Sequence, residues 1–160
     1  MVPFVRGGEP CALVVGDEGL IQELEAAGVR VLPCADSPDC AGFVVAGINR
    51  HVTYEDLKRA HIAITHGAKF VATNRDSTFP LETGTIPGAG AIIAAIETST
   101  GVAPFVIGKP EPFIIEKILE VDGCPPERAL VVGDRLDTED RKSTRLNSSH
   151  SRASRMPSSA

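Results

Sequence analysis

The sequence predicts an α/β fold, a parallel or mixed sheet covered by helices. Three observations carry that expectation. Short apolar runs rich in Val, Ile and Leu alternate with segments of helical period along the chain. Gly, Pro, Asn and Asp punctuate the junctions between them. The chain is 42% hydrophobic yet has no Trp and one Tyr, so its core has to be aliphatic.

Each element follows from its own residues. CALVV, ending before Gly16, reads as a first strand. In DEGLIQELEAAG, Leu20, Ile21, Leu24 and Ala27 share a helical face, and Gly28 stands where a helix terminates. VRVLP is a second strand, CADSPDCA a loop and GFVVAG a third strand. Thr53 and Asp56 form a capping-box pair that opens a helix through TYEDLKRAHIAITHG, closed by Gly67. AKFVATN is a strand, and RDSTFPLETGTIP, broken by Pro and Gly, is a long loop. GAGAIIAAIETSTG is a helix whose small residues suit close helix packing. Strand PFVIG, helix PEPFIIEKILEVDG and strand RALVVGD complete the series, and no internal repeat is found.

Charge and cysteine content exclude several functions. The net charge is −5, but residues 140–160 hold five of the 16 basic residues and only one of the 21 acidic ones. The remaining 11 basic and 20 acidic residues leave an acidic body of −9, which argues against nucleic acid as a ligand. Cys11, Cys34, Cys40 and Cys124 make no C-x-x-C pair and read as reduced, mostly buried thiols, with Cys34 and Cys40 as the alternative metal or disulfide pair. No apolar run has transmembrane length and no signal peptide is visible, so the expected location is cytoplasmic, with no membrane partner.

The last stretch stands apart. DRKSTRLNSSH (140–150) matches one reading frame of a common sequencing-library adapter, and SRMPSSA (154–160) matches the same adapter beyond a short index. A basic arm is the functional alternative, but two matches in one frame favour read-through into adapter, so residues 140–160 are expected to be disordered and to carry no function.

Two motifs suggest chemistry. In ERALVVGDRLDTE, four apolar residues form a strand, Gly133 turns the chain and Asp134 emerges at the carboxyl end. Open α/β sheets place ligands there, and a carboxylate suits Mg²⁺. In VIGKPEP, Lys109 precedes Pro110 at a helix start, where an ammonium and free N–H groups can meet phosphate. An exposed loop Asp and a solvated Lys are the alternatives when each motif stands alone. One helix-and-strand unit separates them, so they come from neighbouring strand ends and can share a ligand.

Together with FVATNRDSTFP and TIPGAGAIIAAIE, these motifs give the chain a resemblance to the haloacid dehalogenase-like phosphatases over about residues 10–139. The branch it resembles contains p-nitrophenylphosphatases and phosphoglycolate phosphatases. The resemblance implies an α/β cap domain (1–104) followed by an incomplete Rossmann-like core (105–139). It implies Lys109 as the catalytic lysine, Asp134 as an Mg²⁺ ligand and Glu139 where the family has a second acid. It implies Asn74 and Asp76 as substrate-binding residues of the cap, and a small phosphate ester as substrate; a homo-oligomer is compatible with it. The family's catalytic D-x-D is absent from the chain. The expectation is therefore a fragment of an Mg²⁺-dependent phosphomonoesterase, inactive without the missing nucleophile. The rival from another class is a non-catalytic α/β module that binds a small ligand or a partner.

Three decoys are set aside. GAGAIIA mimics a dinucleotide fingerprint but follows a Pro-rich loop. His51, His61 and His66 lack the spacing of a helical zinc pair. The nucleophile elbow G-x-S-x-G is absent.

Overall fold

The structure is a computed structural model and describes residues 11–33, 36–108 and 111–129. The strands β1 (Cys11–Val15), β2 (Arg30–Val31), β3 (Phe43–Ala46), β4 (Lys69–Ala72) and β7 (Phe105–Val106) form a parallel sheet in the order β2-β1-β3-β4-β7. A separate antiparallel hairpin is made by β5 (Thr78–Leu81) and β6 (Gly84–Pro87). The helices are α1 (Glu18–Ala26), α2 (Tyr54–Thr65), α3 (Ala89–Thr100) and α4 (Phe113–Asp122). The order of the parallel strands reverses at β1, the doubly wound pattern. Right-handed crossovers then put α1 on one face and α2 and α3 on the other.

Burial explains why these runs are strands. Ala12, Val44, Ala46 and Ala72 are inaccessible to solvent, so the central strands are covered on both sides. Val15, Val44, Ile93 and Ile96 are the largest fully buried side chains. Each contributes roughly 1.5–3 kcal/mol by leaving water. At the start of α2, the Thr53 hydroxyl accepts from the Asp56 amide at 3.3 Å, and the Asp56 carboxylate accepts from the Thr53 amide at 2.8 Å. The predicted capping box is present.

Several expectations are corrected. RDSTFPLETGTIP is a loop only in part, because it contains the hairpin. Pro80 and Pro87 argued against strands, yet each strand of a two-stranded hairpin has an open edge where a missing N–H goes unnoticed. Phe79 pairs with Ile86 across it. GAGAIIA therefore does follow a strand, but one from an antiparallel hairpin rather than a βαβ unit. Its glycines serve a different contact from helix packing. A Cβ at Gly88 would lie 2.4 Å from the Asp76 carbonyl oxygen, and one at Gly90 would lie 2.7 Å from that of Arg75. The second strand shrinks to two residues, and Ala27 is an exposed C-cap rather than part of the buried helix face. Cys11 is buried, but Cys40 is exposed and Cys124 intermediate. The expected strand after Arg128 falls mostly outside the described residues.

Candidate functional site

The carboxyl ends of the parallel strands form one rim. Val15 pairs with Ala46, Ala46 with Ala72 and Ala72 with Val106, so all four strands end in a single row. Backbone bonds continue the row one residue further: the Gly47 amide donates to the Val15 carbonyl at 2.9 Å, Thr73 to Ala46 at 2.9 Å, and Ile107 to Ala72 at 2.9 Å. Beyond it lie Asp17 after β1, Asn49 and Arg50 after β3, Asn74 to Asp76 after β4, and Gly108 after β7.

Gly108 is fastened to this rim. Its amide donates to the Thr73 carbonyl at 2.8 Å, and a Cβ there would stand 2.3 Å from that oxygen. Only a residue without a side chain lets β7 leave the sheet so close to the end of β4. Lys109 follows Gly108 in sequence, and Asp134 and Glu139 lie further on; all three lie outside the described residues.

Asn74 and Asp76 are within them. The Asn74 side-chain oxygen accepts from the Asp76 amide at 3.0 Å, a turn that reverses the chain as β4 ends. The Asp76 carbonyl accepts from the Gly90 amide at 2.9 Å and so ties the turn to the start of α3. Arg75 between them pairs with Glu97 at 3.0 Å. Arg75 and Ser77 also line a cavity of about 250 Å³ against Gly90, Ala91, Ile93 and Ala94.

Sequence reasoning left one rim contact unused. Across the point where strand order reverses, the Asp17 carboxylate accepts from both the backbone amide and Nε of Arg50, each at 3.2 Å. The two residues are 33 apart in the chain, and only the β2-β1-β3 order makes them neighbours. The available signal was an Asp and an Arg each placed just after an apolar strand.

Other groups do little here. Among the described residues no cluster of three or more His, Cys, Asp or Glu could hold a metal ion, and no helix is long and apolar enough to cross a membrane. Burial pushes the Cys11 thiol up, the opposite of what a nucleophilic cysteine needs.

Fold and rim together define a doubly wound α/β protein whose polar residues gather at the strand ends. Comparison with known proteins narrows the class. Residues 106–139 match a family model described as HAD-hydrolase-like. Over 138 residues the chain is 41% identical to an acid sugar phosphatase of Staphylococcus saprophyticus, covering 85% of this chain and 52% of that protein. It is similar to the solved p-nitrophenyl phosphatase from Archaeoglobus fulgidus, with a TM-score of 0.78, 35% identity and coverage of 86% of this chain and 52% of that one. It is also similar to the glycerol phosphate phosphatase Rv1692 from Mycobacterium tuberculosis, solved in complex with magnesium, with a TM-score of 0.72, 39% identity and coverage of 82% and 39%. The chain is thus similar to haloacid dehalogenase-like hydrolases, and it spans about half the length of the curated relatives it matches.

Proposed function

We propose that the chain is the cap-bearing half of a cytoplasmic, Mg²⁺-dependent phosphomonoesterase, with the cap sheet extending through β7, which pairs with β4, and the catalytic core beginning after it rather than at residue 105. The observation that carries this reading is the attachment of Gly108 to the end of β4. Gly108 is bound to the rim that holds Asn74, and Lys109 is the next residue in the sequence. Names among the relatives (acid sugar phosphatase, p-nitrophenyl phosphatase, glycerol phosphate phosphatase) support a small phosphate ester as substrate class.

In this reading Lys109 offsets charge on the transferring phosphoryl group. Asn74 and Asp76 order the turn that faces the ester, and the rim excludes water from it. Asp134, a hard oxygen donor, would hold Mg²⁺, with Glu139 as the second acid. When bound, Mg²⁺ supplies charge neutralisation at the phosphoryl oxygens. The nucleophilic carboxylate comes from a D-x-D motif that the chain does not contain, so the chain alone is inactive. Residues 140–160 take no part; the family-model match ends at residue 139.

The test compares the chain alone with an extended enzyme, in which residues 1–139 are joined to the upstream D-x-D-containing half encoded by the source DNA. Hydrolysis of p-nitrophenyl phosphate is followed with Mg²⁺ and with chelator. The chain alone should show no turnover. The extended enzyme should turn over with Mg²⁺ only, and Lys109→Ala or Asp134→Asn should each abolish it. Turnover by the chain alone would remove the missing-nucleophile reading, and an inert, folded extended enzyme would leave a binding module as the better account.

A further inference from the structure

We propose that Cys11 and Cys40 are a redox pair, and that a low-molecular-weight disulfide such as oxidised glutathione joins them into a staple at the edge of the sheet. The inference is independent of the phosphatase reading.

The register brings the two thiols to one place. Ala12 pairs with Phe43, so Cys11 stands opposite Gly42, whose amide donates to the Cys11 carbonyl at 3.0 Å. Cys40 comes two residues before Gly42, at the end of a single 3₁₀ turn, Pro38–Cys40. Ala41, between them, is buried in the same apolar cluster as Cys11. Both residues that follow Cys40 are thus seated on or beside Cys11. No side chain fills the space at Gly42, where a Cβ would meet only the Cys11 carbonyl oxygen, at 3.6 Å. Burial raises the Cys11 thiol, and the groups near enough to act on it electrostatically are Arg30, Cys40 and Asp36.

The turn that carries Cys40 is weakly held. The Cys40 amide donates to the Ser37 carbonyl at 3.3 Å and the Ala41 amide to that of Pro38 at 3.2 Å. Both bonds are at or beyond the long end of the usual range. A disulfide needs Cα atoms about 4.4–6.8 Å apart, close to the spacing of about 4.8 Å between neighbouring strands. Unwinding one short turn is the movement that brings Cys40 to that separation from Cys11.

Access sets the order of the steps, because Cys40 is exposed and Cys11 is buried. The Cys40 thiolate attacks one sulfur of the small disulfide, a mixed disulfide forms on Cys40, and the first small thiolate leaves. Cys11 then gives up its proton and attacks the Cys40 sulfur, which forms the Cys11–Cys40 bond and releases the second small thiol. Two protein thiols are oxidised and one small disulfide is reduced to two thiols. Burial disfavours the Cys11 thiolate, so the second step is the slow one.

The staple encloses residues 12–39, which contain α1 and the two-residue edge strand β2. Joining the ends of that unit restricts its unfolded state, so oxidation steadies the edge of the sheet. Cys11 begins β1 and Cys40 precedes β3, so the pair lies at the amino ends of the strands, away from the rim.

The test uses the full chain. It is reduced, freed of reductant, incubated with oxidised glutathione and alkylated. Digestion with trypsin and a protease that cuts before aspartate then separates Cys34 from Cys40. Mass spectrometry of the monomeric fraction should find the Cys11 peptide joined to the Cys40 peptide, and dithiothreitol should part them. Cys34→Ser should leave the link intact, whereas Cys40→Ser should abolish it. The oxidised chain should melt roughly 5 °C or more above the reduced one. Hydrogen exchange should slow across α1 and β2 but not across α3. The rise in melting temperature should vanish in Cys40→Ser, an exposed site where serine leaves the core untouched. Three results each overturn the proposal: a Cys40 mixed disulfide with Cys11 still a free thiol, a Cys34–Cys40 bond, or a linked chain that melts no higher than the reduced one.

Discussion

Helices α3 and α4 are both rich in isoleucine, yet they behave as opposites. AGAIIAAIETST buries Ala89, Ile92, Ile93 and Ile96, with Ile96 wholly inaccessible. FIIEKILEVD buries nothing; Ile118 is 54% exposed and Val121 84% exposed. The difference lies in what each helix follows. The crossover between two neighbouring parallel strands, β4 and β7, contains α3, so the sheet itself pulls it down and α2 flanks it. Helix α4 comes after the last described strand and touches the rest through contacts such as the edge-to-face pair of Phe105 and Phe113, whose ring centres are 5.3 Å apart. Apolar content makes a helix able to be buried; the surface that the sheet and α2 offer to α3 is what buries it.

The largest predicted effect tests this contrast. Ile96→Ala should destabilise the chain by about 2–5 kcal/mol in chemical denaturation, because the site is closed on all sides. Ile118→Ala should stay within about 0.5 kcal/mol. Equal losses would mean that the outer face of α4 is covered in solution, and the comparison would break.

Next in size is the fastening of β7. Gly108→Ala places a methyl group 2.3 Å from the Thr73 carbonyl oxygen, and should cost about 1–3 kcal/mol and raise hydrogen exchange at Ile107. Gly42→Ala is the matched control. Its methyl would sit 3.6 Å from the nearest atom, the Cys11 carbonyl oxygen, at ordinary contact distance. A Gly108→Ala chain as stable as the control would show that β7 can leave the sheet by another path.

A smaller effect belongs to the capping of α2. Thr53→Ala removes the hydroxyl that accepts from the Asp56 amide, and should cost about 1 kcal/mol by thermal denaturation. No loss would mean that packing of Ala60, Ala63 and Ile64 holds α2 without its cap.

The smallest is a pH effect confined to the buried sheet. Burial pushes the Cys11 thiol above its ordinary value, so the folded chain holds that proton more tightly than the unfolded chain. The resulting stability is whole below the ordinary thiol range and is lost as pH rises through the raised value. Iodoacetamide at neutral pH should therefore label exposed Cys40 and spare Cys11, with Cys11 reacting only on unfolding or in strong alkali. Rapid labelling of Cys11 in the folded chain would show that β1 opens.

Most of the helices and the central strands were legible because their signals are local. Thr53 and Asp56 are three residues apart, and CALVV, FVVA and KFVA are continuous apolar runs that suit burial on both faces. The hairpin was not legible, because Pro80 and Pro87 are strand breakers in sequence and harmless on an open edge in space. Asn74 and Asp76 were singled out through a resemblance rather than through any local signal. The turn they share is local, but its tie to the start of α3 through the Asp76 carbonyl and the Gly90 amide is visible only in three dimensions.

By itself, then, the sequence determined the alternation of strand and helix, the helix caps, the aliphatic core and the motifs that tie the chain to haloacid dehalogenase-like hydrolases. These depend on residue type and short spacing. The strand order, the hairpin, the close approaches that require Gly88, Gly90 and Gly108, and the meeting of Asp17 with Arg50 were decided by the tertiary structure alone. Each joins residues that are distant in the chain, and the reversal of the sheet at β1 is what brings Asp17 to Arg50.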